Sequence, residues 1–67
     1  MNNFLFKYSR GIKDGYYAVV CGYDYEYEAK ERLIKELELN YFDTVELIQM
    51  VDYIINENSY WKGNSKN

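Results

Sequence analysis

This chain of 67 residues contains no histidine, no proline and a single cysteine, Cys21. Each absence removes a class of chemistry. Without histidine there is no side chain that ordinarily titrates near neutral pH, and Cys21 has no imidazole partner to activate it as a nucleophile. One cysteine permits neither an intramolecular disulfide nor a cysteine cluster for zinc, so the fold must be held by packing alone, in a reducing setting. No apolar run approaches the length of a membrane span, and the N-terminal apolar stretch is too short for a signal peptide. The expected setting is therefore cytoplasmic, with no membrane. No repeat, proline-rich linker or low-complexity segment divides the chain, which is short for a domain that folds without cross-links.

Aromatic residues are abundant by contrast: nine tyrosines, three phenylalanines and one tryptophan. That is more aromatic surface than so small a core can hide, and exposed aromatic surface generally marks an interface. A homodimer would be the simplest cover for it. Net charge is only −3, but it is unevenly spread. Residues 1–13 carry Lys7, Arg10 and Lys13 and no acid, whereas residues 14–57 carry all eleven acids against three basic residues. An acidic body of this kind repels nucleic acid and is drawn to basic grooves.

Hydropathy patterning predicts an α+β domain over residues 1–57, of ββαα order, followed by a polar, partly disordered tail over 58–67. Phe4, Phe6 and Tyr8 alternate with Leu5, Lys7 and Ser9, the signature of a half-buried strand, here about 3–10. Tyr16 to Cys21 is rich in β-branched and aromatic residues and forms the core of a second strand, about 16–23. Asp14-Gly15 is a favoured type I′ hairpin pair, and as the loop it would set Tyr8 opposite Cys21 and Phe6 opposite Tyr23. Gly22 permits a bend or a bulge. Ala29, Leu33 and Leu37 recur at helical spacing, so a helix is expected over about 25–39. Asp43-Thr44-Val45-Glu46 fits a capping box with Phe42 and Leu47 as hydrophobic staple, and Leu47, Ile48, Val51, Ile54 and Ile55 form a stripe. A second helix is therefore expected over about 44–57. Tyr60-Trp61 breaks the polarity of the tail and is expected to dock.

The run Tyr23-Asp24-Tyr25-Glu26-Tyr27-Glu28 alternates aromatics with carboxylates. As a strand it would show tyrosines on one face and acids on the other, with carboxylates about 6.6 Å apart, twice the rise per residue. That resembles the spacing of backbone phosphates. As a helix start, Asp24 would cap and Glu26 and Glu28 would complement the dipole. The helical period from Ala29 onward places the run at a junction between the two. Either way it clusters carboxylates and tyrosines at one corner. Together with Tyr41 it is the candidate partner-binding surface.

Catalysis is not expected. Asp24, Glu26 and Glu28 could in principle supply an acid/base pair, but so small a chain can hardly enclose a substrate pocket. The run matches no calcium loop, so no metal and no cofactor are expected. Cys21, within Val-Val-Cys, reads as a small buried hydrophobe. A nucleic-acid surface formed by Lys7, Arg10, Lys13 and Tyr16 is the alternative, but three basic groups beside an acidic body fall short of a basic stripe.

In character the chain resembles the small proteins by which phages and mobile elements block host defences, such as anti-CRISPR proteins. The tiny acidic domain, the excess of tyrosine, the absent histidine and proline and the Asn/Lys/Ile/Tyr-rich usage carry this resemblance. It implies an inhibitor that occupies a basic surface of a nuclease or Cas-type effector in the host bacterial cytoplasm.

Overall fold

The computed structural model describes residues 2–51 throughout and residues 61–64 as backbone. Five elements follow one another: β1 (Asn2–Arg10), β2 (Lys13–Tyr23), α1 (Glu26–Leu37), β3 (Val45–Val51) and β4 (Trp61–Asn64). β1 pairs antiparallel with β2 on one side and with β3 on the other, and β4 lies parallel to β2. The strand order is β3-β1-β2-β4. Since β2 and β3 both run against β1, they are parallel to each other, and α1 is the crossover that joins them.

This corrects the expected ββαα order. The chain folds as β-β-α-β with β4 added at the sheet's other edge, and the segment expected to be the second helix is β3 over its described part. Ile54 and Ile55 lie outside the described residues. β3 carries the β-branched Val45, Ile48 and Val51, and β1 offers it an open edge. Its capping signature serves another purpose. Asp43 accepts hydrogen bonds through Oδ1 from the Gly11 amide and through Oδ2 from the Asn40 amide, each at 2.9 Å. Ser9 and Thr44 add two more links, Ser9 N–H to the Thr44 carbonyl at 2.9 Å and Thr44 N–H to Ser9 Oγ at 2.8 Å. The loop after α1 is thereby pinned to the β1–β2 turn, where it delivers Val45 alongside Tyr8.

The hairpin is present, but its turn and register differ from expectation. Gly11-Ile12 forms the turn, with Gly11 at φ +67°, the pattern of a two-residue type II′ loop. Asp14-Gly15 forms a bulge instead: the pairing steps from Arg10↔Lys13 to Tyr8↔Tyr16, and Gly15 takes φ +84°. Phe6 therefore faces Ala18, and Phe4 faces Val20.

One face of the sheet builds the core. Phe4, Phe6 and Tyr8 from β1 and Ala18 and Val20 from β2 pack against Ala29 and Leu33 of α1. Leu37, Leu39, Val45 and Leu47 border this cluster. Ala29, Leu33 and Leu37 share one helix face because they are four residues apart. Burying Leu33 completely contributes about 1.5–3 kcal/mol. The helix closes on Glu38, which takes the left-handed conformation (φ 51°, ψ 47°). Its N–H reaches the Lys35 carbonyl at 3.3 Å and the Leu39 N–H reaches Ile34 at 3.0 Å. That pair of bonds is a Schellman closure, with glutamate where glycine is usual.

β4 falls inside the stretch expected to be a polar tail, and Trp61 pairs through its backbone with Ala18. Tyr60 lies outside the described residues. No helix among the described residues is long and apolar enough to cross a membrane.

Candidate functional site

The 23–28 run is a strand-to-helix junction. β2 ends at Tyr23, Asp24 makes the bend, and Tyr25 is still extended (φ −124°, ψ 143°) where its carbonyl accepts the first helical hydrogen bond, from Ala29 at 3.3 Å. Tyr25 is the N-cap residue and makes no side-chain cap, so Asp24 does not cap the helix. Glu26 and Glu28 fall in the first turn, where the helix dipole favours negative charge.

This junction splits the tyrosines. In a continuous strand Tyr23, Tyr25 and Tyr27 would share a face, and in a continuous helix Tyr25 and Tyr27 would diverge. The change of conformation between them instead stacks Tyr25 on Tyr27, with ring centroids 5.8 Å apart and an interplanar angle of 20°. Both rings are largely exposed, at 60% and 62%. Tyr23 turns inward, borders the core and accepts a hydrogen bond from Arg32 at 3.4 Å. Arg32 also approaches Glu36 at 3.1 Å through Nε, an ion pair one helical turn along. Asp24 and Glu26 are exposed, whereas Glu28 is half-buried. Asn2 secures the bend by donating from its side-chain amide to the Asp24 carbonyl at 3.2 Å. The exposed part of the corner is thus Asp24, Tyr25, Glu26 and Tyr27.

Tyr41 does not belong to this corner. It lies in the loop between α1 and β3, which Asp43 ties to the hairpin turn at the opposite end of β2. There it meets Phe42 edge-on, with centroids 5.4 Å apart. Tyr41 and Ile12 are fully exposed, and Phe42 is more than half exposed. Ile12 in the turn and Tyr41 and Phe42 in the loop pinned to it thus leave an exposed apolar tip at the hairpin end, where Arg10 and Lys13, paired across the turn, and Asp14 beside them are also exposed. Sequence reasoning missed this tip. Its signal was an isoleucine directly after a turn glycine, a position where an apolar side chain has nothing of its own chain to pack on.

The alternative nucleic-acid set is not gathered into one face. Tyr16 stacks on Tyr8 on the helix-covered side, at 5.4 Å between centroids. Lys7 alternates to the other side, opposite Glu46. Arg10 and Lys13 remain together at the turn. Burial pushes the Tyr8 phenol above its ordinary value of 10.0, opposed by Arg10 and assisted by Tyr16. Among the described residues no three His, Cys, Asp or Glu side chains converge to hold a metal ion.

Compared with known protein families, curated proteins and solved structures, the chain matches none.

Proposed function

We propose that this is a non-enzymatic binding protein that inhibits a nucleic-acid-processing protein by occupying its basic surface. The observation that carries the reading is the exposed, stacked Tyr25–Tyr27 pair, interleaved in sequence with the exposed acids Asp24 and Glu26. Tyrosine combines a large apolar face with a hydroxyl at low entropic cost, which makes it a frequent anchor in interfaces. Here two such anchors are held against each other, so little of their freedom remains to be lost on binding. Carboxylates beside them suit lysine and arginine, and guanidinium groups also stack on aromatic rings. The acidic middle of the chain adds long-range attraction to a basic groove. The finer assignment we put forward is an anti-defence inhibitor of the kind phages carry, acting on a nuclease or Cas-type effector.

Asp24→Lys combined with Glu26→Lys tests this. Both positions are exposed, so the fold should survive. Immobilised wild-type protein should capture a nucleic-acid-processing protein from a low-GC bacterial lysate and release it as salt rises. The double variant should capture none. Equal retention by the folded double variant would refute the reading.

A further inference from the structure

The tyrosine corner has a geometry that separates one basic side chain from the other. Tyr25 and Tyr27 lie against each other with ring centroids 5.8 Å apart and an interplanar angle of 20°, so one face of each ring is covered by its neighbour. Both rings are more than half exposed, which leaves their outer faces open to solvent. Tyr25 is the N-cap and Tyr27 the second residue of α1, so both stand on the start of the helix.

The charge around the pair is negative. From Asp24 to Glu31 the chain carries Asp24, Glu26, Glu28 and Glu31 against Lys30 alone, and the next cation, Arg32, is engaged with Glu36 and Tyr23. Asp24, Glu26 and Glu31 are exposed, whereas Glu28 and Lys30 are half-buried. β1 contributes the neutral Asn2 to the bend. β4 sets Lys62 level with Val19, four residues or about 13 Å short of Tyr23, which is beyond the screening length of about 8 Å at physiological salt. Glu26 and Glu28 occupy the first helical turn, where a bound anion would otherwise be held, so a phosphate is repelled there.

Lysine and arginine meet such a surface differently. An ammonium is a compact, strongly hydrated point charge that carboxylates alone can satisfy. A guanidinium is planar and weakly hydrated, lies flat on an aromatic face and still offers its edge to a carboxylate. It therefore uses ring and acid at once. The chain already holds one guanidinium between a tyrosine and a glutamate, for Arg32 donates to the Tyr23 hydroxyl at 3.4 Å and meets Glu36 at 3.1 Å. We propose that the corner selects arginine: a guanidinium of the partner lies on an outer face of the Tyr25–Tyr27 stack with its edge toward Glu26. This rests on the reading of the corner as the contact surface for a basic partner, and it narrows that partner's contact residue to arginine.

Titration with hexaarginine and with hexalysine at low ionic strength, followed by NMR, is the test. The peptides carry the same side-chain charge, so general attraction to an acidic domain is common to both. Wild-type protein should bind hexaarginine at least about threefold more tightly. The arginine δ-methylene protons should also move upfield, as the ring currents act on them. Tyr25→Leu with Tyr27→Leu keeps apolar bulk and removes the ring faces. Both positions are exposed, and circular dichroism confirms folding. In this variant the two peptides should bind alike. Equal affinities for wild-type protein overturn the proposal, as does a failure of both peptides to bind. So does a preference for arginine that persists in the leucine variant. Capture of a partner from lysate is read separately. A partner held through Asp24 and Glu26, while the two peptides bind alike, would keep the contact surface and reject its choice of arginine.

Discussion

Glu38 offers a perturbation whose sign and size follow from its backbone alone. It closes α1 in the left-handed conformation, at φ 51° and ψ 47°. For an L-residue that conformation costs roughly 1–2 kcal/mol, because Cβ crowds the following carbonyl. Glycine adopts it without that penalty but gives up about 0.4–1 kcal/mol through the greater freedom of its unfolded chain. Glutamate is also a negative charge at the negative end of a helix dipole, an exposed effect of a few tenths of a kcal/mol. Together these make Glu38→Gly stabilising by about 1 kcal/mol, while the Schellman bonds to Ile34 and Lys35 stay intact. For a domain of this size that raises Tm by about 4–8 °C. Thermal unfolding followed by circular dichroism reads it directly. Glu38→Ala is the control, since it removes the charge and keeps Cβ, and it should recover only the few tenths that belong to the dipole. If alanine and glycine stabilise equally, or glycine destabilises, the helix does not end in this way and the reasoning fails.

Two further perturbations probe the hairpin end and the core. Asp43→Ala deletes the carboxylate that joins the Gly11 and Asn40 amides, and it should cost about 1–3 kcal/mol, measured as a lower denaturation midpoint. Hydrogen exchange at the Gly11 amide should accelerate in the same variant, an effect that a role in helix capping would not produce. Tyr8 makes stability fall at alkaline pH. Its folded-state value lies above 10.0, so above pH 10 the unfolded chain loses the phenolic proton while the folded chain retains it. Stability should therefore drop as pH rises past 10, and Tyr8→Phe should flatten that drop in denaturation curves taken between pH 9 and 11.

The hairpin and the first helix were legible because their signals are local. Phe4, Phe6 and Tyr8 alternate, and Ala29, Leu33 and Leu37 follow a helical period, and the core uses all six. The register was not legible, since Gly11-Ile12 and Asp14-Gly15 both look like turns. The longer ladder, which sets Phe4, Phe6 and Tyr8 opposite Val20, Ala18 and Tyr16, decides between them. β3 was hidden for a different reason. A bulge shifts its pairing between Leu5 and Phe6, so the residues opposite Tyr8, Phe6 and Phe4 are Val45, Leu47 and Met50. The stripe read as helical instead joined Leu47 to Ile48, which falls at the bulge, and to Val51, which stands opposite Asn3, so it ran together positions that do not share a face of the strand. The apparent cap, Asp43, is spent on an amide 32 residues away, a partner that no local spacing reveals.

The same distinction governs the candidate site. That carboxylates and tyrosines cluster at residues 23–28 could be read from the sequence, but their facing could not. The junction turns Tyr23 toward Arg32 and leaves Tyr25 stacked on Tyr27. Tyr41, one of nine tyrosines with no local feature to place it, belongs to the other end because Asp43 holds its loop there.

The most direct measurement of the proposed function is the affinity of the captured basic partner for wild-type protein and for Tyr25→Ala combined with Tyr27→Ala, by titration calorimetry at two salt concentrations. If the corner is the contact surface, the wild-type affinity weakens as salt increases, and the double variant loses at least about 2 kcal/mol, roughly 30-fold, with its melting temperature unchanged. A folded double variant that binds as tightly as wild type, with the same response to salt, would contradict the account.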